Sequence, residues 1–175
     1  YIHLPWCEKR CPYCDFNINI NKSEGDEDKL LNALYQDLGG SDQYIQNRKF
    51  SSVYFGGGTP SLVSAKMIKK ILINLLDMCL LEEGCEISFE LNPKEVTHAY
   101  IEEIIEAGVN RISIGIQSFD QNMLDTLERN HSSDDSHQAI KIASEFKEII
   151  TSIDLIYGIM NQSVESLKKD IQIFC

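Results

Sequence analysis

The chain has 175 residues, 43% hydrophobic and 25% charged, which suits one globular domain with a single core. Acidic residues outnumber basic ones 27 to 16, and the formal charge of -11 disfavours a general grip on nucleic-acid phosphates or anionic lipid. No apolar run approaches the roughly 20 residues that span a bilayer; the longest, Ile71 to Leu81, is broken by Asn74 and Asp77 and reads as a core helix.

The chain begins at Tyr1 and stops at Cys175 just after a helical pattern, and it is read as a fragment. Its six cysteines are read as thiols of a reducing, cytoplasmic compartment, because a chain of this size with a good core does not need disulfides. Cys79 falls on an apolar helical face, Cys85 at the edge of a strand and Cys175 at the terminus, and none of the three is given a role.

Short strand patterns alternate with amphipathic helices. A first strand is predicted over Tyr1–Pro5, and "CEKRCPYC" (7–14) follows it. Leu30, Leu31, Leu34 and Leu38 then share a helical face. A second strand, Ser52–Phe55, runs into "GGGTPS" (56–61). Ser64 is placed to cap a helix with Met67, Ile68, Ile71, Leu72, Leu75 and Cys79 on one side. The third strand, Glu86–Leu91, ends in "ELNP"; Tyr100, Ile101, Ile104 and Ile105 form the next helical face, and Gly108 stands where a glycine terminates a helix. Arg111–Ile116 is the fourth strand and runs into "GIQSFD" (115–120). A short helix near Asn122–Leu127 precedes a longer one from Asp134 to Lys147. The fifth strand, Ile150–Tyr157, carries "DLIYG" before a last helix with Val164, Leu167, Ile171 and Phe174.

Five βα units imply a parallel α/β sheet with helices outside. A complete eightfold barrel runs to about 250 residues, so this chain is a partial barrel or an open sheet. Either architecture places its ligand site at the carboxyl ends of the strands, where the unusual residues of this sequence gather.

Cys7, Cys11 and Cys14 supply three thiolates. A zinc site needs a fourth ligand, and His3 and Asp15 offer themselves at no familiar spacing. A cubane iron–sulfur cluster held by three cysteines keeps one iron open to an exchangeable ligand. Both readings, a zinc knuckle and a cluster loop stiffened by Pro12, stand on the loop alone.

The stretch "YIHLPWCEKRCPYCDF" resembles the opening of the radical S-adenosylmethionine enzymes, more narrowly the coproporphyrinogen III oxidase (dehydrogenase) family and its HemW-like haem-chaperone branch. "GGGTPS", "ELNP", "RISIGIQSF" and "DLIYG" follow in the family's order, so the resemblance covers essentially the whole chain. It implies an incomplete (βα)6 TIM-like barrel, here truncated to about five βα units, with residues 1–175 as the core domain and the sixth strand and C-terminal domain missing. Cys7, Cys11 and Cys14 would hold a [4Fe–4S] cluster whose open iron is chelated by S-adenosylmethionine. One electron would split that cofactor into methionine and a 5′-deoxyadenosyl radical.

The resemblance also implies cofactor contacts. Gly57, Gly58 and Thr59 would lie near the methionine part, and the amides of Gly56, Gly57 and Gly58 could orient the cofactor's polar end. Glu90 would pair with the cofactor's positive charge; without a ligand it reads as one half of a salt bridge, with Arg111 a candidate partner. Gln117 and Asp154 suit ribose hydroxyls, and otherwise read as a turn residue and a strand-end ion pair. Arg129 would clamp a carboxylate, although by itself it reads as a solvated charge. Tyr1 and Tyr13 match positions beside the cofactor or simply pack near the loop. His3 reads as structural, and His98, His131 and His137 as solvated surface residues.

Two departures bear on function. The oxidase branch has a cysteine two residues after the third cluster cysteine; Phe16 stands there, as in the chaperone branch. The family's "YGLPGQT" is "YGIMNQS" here, and Met160 and Asn161 lack proline's rigidity and glycine's freedom. Three functions follow as expectations: a haem chaperone, a coproporphyrinogen III oxidase, or a zinc-stabilised interaction module. The first two imply haem or a porphyrin as ligand and a low-potential electron donor such as a flavodoxin or ferredoxin. The chaperone also needs a haem-acceptor protein, and its haem-contacting histidine region would lie in the missing part.

Overall fold

The computed structural model describes residues 1–45, 47–78 and 80–174, so the readings of Cys79 and Cys175 lie outside the described residues. Among the described residues five strands form one parallel sheet in the order β1 to β5, with β1 and β5 at its edges. The strands are β1 (Ile2–Leu4), β2 (Phe50–Gly57), β3 (Leu81–Leu91), β4 (Arg111–Gln117) and β5 (Ile150–Leu155). The helices are α1 (Asp26–Gly40), α2 (Asp42–Ile45), α3 (Ala65–Asp77), α4 (His98–Ala107), α5 (Gln121–Thr126), α6 (Ser133–Glu145) and α7 (Val164–Phe174). This is the predicted α/β alternation.

The helix ends follow local chemistry. Ser64 accepts from Met67 N at the start of α3, and Thr97 accepts from Tyr100 N at the start of α4. Gly108, at φ 113°, ends α4 in the left-handed conformation that costs glycine nothing. Ser132 and Asp135 form a reciprocal capping box on α6.

Most element boundaries shift by one or two residues from expectation, and two of the differences have structural consequences. β3 begins at Leu81, five residues early, because Phe50 pairs with Leu81 and the register with β2 is irregular before Ser52 pairs with Glu86. Cys85 is therefore buried inside a strand, not at its edge. β2 continues through Gly57, so the first two glycines of the motif, Gly56 and Gly57, belong to the sheet and not to a loop.

Alternation decides what each face of the sheet does. Phe55, Phe89, Ile112, Ile114 and Ile116 share one apolar core with Met67, Ile68, Ile101, Ile104, Ile142 and Ala143 of the helices. Each fully buried phenylalanine or isoleucine contributes about 2–3 kcal/mol of transfer free energy. The intervening residues turn to the other face: Tyr54, Glu90, Ser113 and Gln117, with Ser152 of β5 in register beside Ser113 and Asp154 hydrogen-bonded to it. The polar residues thus run along a whole sheet face as well as gathering at the rim.

The altered loop after β5 keeps a defined turn. Gln162 N bonds the Ile159 carbonyl at 2.9 Å, and Asn161 takes φ 67°. Asparagine tolerates that left-handed position better than other non-glycine residues, so the missing glycine is accommodated.

Candidate functional site

One cavity opens at the carboxyl ends of the strands. Cys7, Cys11, Tyr13, Cys14 and Phe16 form one wall, with Gly58, Thr59 and Arg129 in contact with that loop; Glu90, Gln117 and Asp154 line the side of the strand ends. Five strands and the loops after them contribute because parallel strands all end on the same side.

The cysteine loop is tied at its neck. Cys7 N bonds the Asn19 carbonyl at 3.0 Å, and Asn19 N bonds the Pro5 carbonyl at 2.8 Å. His3 Nε2 donates to the Asn17 carbonyl at 2.8 Å, while Nδ1 accepts from Tyr1 Oη at 3.0 Å. Both ring nitrogens are thereby engaged, so His3 is structural and not a fourth ligand. Inside the loop Cys14 N bonds the Cys11 carbonyl at 3.0 Å, a turn that brings the two side chains to the same wall. Arg10 Nη1 donates to the Cys14 carbonyl at 3.2 Å.

Two donors face the sulfurs. Thr59 Oγ1 donates to Cys7 Sγ at 3.4 Å, and Arg129 Nη1 approaches Cys11 Sγ at 3.8 Å. Burial pushes the Cys7 thiol upward, and the Thr59 hydrogen bond opposes it. Among the described residues no three His, Cys, Asp or Glu side chains converge closely enough to share one metal ion. A cubane does not require that, because each thiolate takes its own iron. Three thiols on one wall, with sulfur-directed donors beside them, fit such a group.

The glycine motif supports the loop from behind. A Cβ on Gly58 would lie 2.5 Å from the Trp6 carbonyl oxygen. The Gly58 and Thr59 amides donate to the Leu4 and Trp6 carbonyls at 2.8 and 2.7 Å. The Gly58 amide is therefore not free to orient a ligand, contrary to expectation, and that of Thr59 is engaged as well; close backbone approach is what requires glycine at 58. Gly57 and Tyr1 stand outside the cavity wall. Gly57, at φ 120°, leaves room for the His3 ring, and Tyr1 is 75% exposed with its ring against Tyr54.

The opposite wall is acidic. Tyr54 Oη donates to Glu90 Oε1 at 2.7 Å, and Ser113 Oγ donates to Asp154 Oδ1 at 3.1 Å. Among the described residues no ion pair includes Glu90 or Asp154, so Arg111 does not partner Glu90. Burial, reinforced by the Asp154 charge, raises the Glu90 carboxyl above its ordinary range, and the Tyr54 hydrogen bond opposes it. A half-buried carboxylate with an exposed one beside it and no cation paired to either is a site that a positive ligand would relieve.

Arg129 is not a solvated charge. Its guanidinium donates to the Asn92 side chain, to the Gly115 carbonyl at 3.1 Å and to Tyr13 Oη at 3.1 Å. Burial pushes the Tyr13 phenol up to about 12, against the pull of Arg129. His131 is also not a surface residue: it is 4% exposed and bonded to the Ile116 carbonyl. His98 does stay exposed, paired with Glu145, and His137 is exposed beside Phe119. Asn92, Ser113, Gly115 and Asn130 line the cavity without having been singled out. The period of two along β4 would have found Ser113 and Gly115 on the side of Gln117; Asn92 and Asn130 carry no such signal.

Residues 1–172 match the family model of the radical SAM superfamily, and the chain belongs to that superfamily. It is 37% identical over 173 residues to the haem chaperone HemW of Buchnera aphidicola and 38% identical over 172 residues to that of Escherichia coli. These matches take in 99% and 98% of this chain but 46% of each relative, so the chain spans about half the length of those proteins. The solved structure of Escherichia coli coproporphyrinogen III oxidase (HemN), a radical SAM enzyme, superimposes with a TM-score of 0.82 at 29% identity, covering 98% of this chain and 40% of that one. The fold is accordingly the truncated radical SAM barrel that the motifs implied.

Proposed function

We infer that this chain is the cluster- and S-adenosylmethionine-binding core of a haem chaperone similar to HemW. Phe16 carries the distinction. It lies on the cavity wall two residues beyond Cys14, 62% exposed, where the oxidase branch has a cysteine. The named relatives at 37% and 38% identity support the same branch.

Cys7, Cys11 and Cys14 would hold the [4Fe–4S] cluster, which with S-adenosylmethionine supplies one-electron chemistry when both are bound. The residues of the chain set the orientation. Glu90 and Asp154 offer negative charge to the cofactor's cationic groups, and Tyr54 and Ser113 keep those carboxylates aimed by donating to them. Arg129 would meet a carboxylate through Nη1, in exchange for its contacts with Tyr13 and Cys11, and Gln117 at the end of β4 would serve a ribose. Gly57 and Tyr1 act from behind, by packing on His3 and Tyr54. The complete protein would bind haem, pass it to an acceptor protein in the cytoplasm and take electrons from a flavodoxin or ferredoxin. Among the described residues no helix is long and apolar enough to cross a membrane.

The oxidase reading is supported by the HemN superposition at a TM-score of 0.82. Haem titration of the full-length protein, with a parallel assay for coproporphyrinogen III decarboxylation, separates the two. Haem binding without decarboxylation is expected; decarboxylation without haem binding overturns the chaperone reading. Anaerobic iron–sulfide reconstitution tests the cluster itself. A colourless, zinc-loaded product would favour the zinc module, and stoichiometric iron and sulfide in Cys11→Ala would contradict the ligand assignment.

A further inference from the structure

A buried histidine, His131, and a strained backbone position, Gln117, lie beside each other at the edge of the cavity. Gln117 has φ 67°, and Ser118 N donates to the Ile116 carbonyl at 2.9 Å, which closes a γ-turn with Gln117 at its apex. A positive-φ γ-turn at a non-glycine residue persists only where its surroundings hold it. Four residues share that support: Ser118, Phe119, Asp170 and His131. Ser118 Oγ and Phe119 N donate to Asp170 of α7 at 2.7 and 3.0 Å, and Asp170 is 2% exposed. The Ile116 carbonyl takes a second hydrogen bond, from His131 Nε2 at 3.1 Å.

That second bond determines the tautomer. A carbonyl only accepts, so Nε2 carries the proton, and in the neutral ring Nδ1 is left as an acceptor. Arg129 Nε donates to Nδ1 at 3.4 Å. An imidazolium would set N–H against N–H beside a guanidinium. Burial and the Arg129 charge hold the ring's pKa down to about 4, so it is neutral. His131 therefore joins the turn that aims Gln117 to the guanidinium that faces the cysteine loop.

We propose that His131 is a positioning residue, setting the plane of the Arg129 fork through Nδ1 and holding the Gln117 turn through Nε2. This rests on the reading of Arg129 and Gln117 as S-adenosylmethionine contacts.

The test uses the full-length protein with its cluster rebuilt anaerobically. His131→Phe keeps a ring but can make neither hydrogen bond. His131→Gln keeps one donor and one acceptor. S-adenosylmethionine binding is expected to weaken about tenfold or more in His131→Phe, at unchanged iron and sulfide, and to stay within about threefold of the parent in His131→Gln. Equal losses in both variants, or no loss in His131→Phe, overturn the proposal. A readout without cofactor is the Arg129 Nε–H resonance, identified by its disappearance in Arg129→Lys. It is expected to be protected from solvent exchange in the parent and in His131→Gln, and unprotected in His131→Phe. If His131→Phe does not fold, an unprotected resonance in the parent overturns the proposal and a protected one supports it. A parent protein that binds no S-adenosylmethionine refutes the cofactor reading, and the resonance still reports on the positioning of Arg129.

Discussion

Arg129 Nη1 stands 3.8 Å from the Cys11 sulfur and 3.1 Å from the Tyr13 hydroxyl, across 118 and 116 residues of chain. One guanidinium thus spans from the connection between α5 and α6 to the cysteine loop. Only a planar, multi-donor group can satisfy Asn92, Gly115, Tyr13 and His131 at once. Arg129→Lys is expected to weaken S-adenosylmethionine binding by about tenfold or more, roughly 1.4 kcal/mol. Equilibrium dialysis against the reconstituted protein measures this, and iron analysis is expected to show the cluster retained.

Glu90 is a half-buried carboxylate with Asp154 beside it and no ion-pair partner among the described residues. Its expected role is charge recognition. Glu90→Gln should erase most of the preference for S-adenosylmethionine over neutral S-adenosylhomocysteine, a change of about tenfold. Competition binding with the two ligands checks it; an unchanged ratio would remove Glu90 from the cation site.

Gly58 and Gly39 make a matched pair. A Cβ on Gly58 meets the Trp6 oxygen at 2.5 Å and the Pro5 carbonyl at 2.8 Å, all backbone atoms that cannot swing aside. Gly39, near the end of α1, has nothing within 4 Å of such a Cβ. Gly58→Ala is expected to cost about 2–3 kcal/mol in urea unfolding. Gly39→Ala is expected to be neutral or to stabilise by about 0.5–1 kcal/mol.

His131 makes stability depend on pH. Its folded pKa, about 4, lies below the ordinary 6.5, so the unfolded chain binds more protons between those values. The contribution is complete above about pH 6.5 and is lost as pH falls toward 4, roughly 3 kcal/mol in all. Arg129 and Lys94 press the pKa down with burial, and Asp135 pulls it up. Glu90 and Glu95, whose pKa values are raised, act with the opposite sign. Comparing urea unfolding of the parent and His131→Gln from pH 4 to 7 cancels the carboxylates; parallel curves would refute the assignment.

The sequence by itself determined the α/β alternation, the helix caps at Ser64 and Gly108, and the order of the motifs along the chain. Periodicity and capping are local, so three or four residues suffice to read them. Only the tertiary structure decided the surroundings of Arg129 and His131 and where the Gly58 and Thr59 amides bond. It also decided that Glu90 has Tyr54 and not Arg111 beside it. Each of these depends on groups brought together from different strands, and a side chain's charge state and partners are set by that environment, not by its neighbours in the chain.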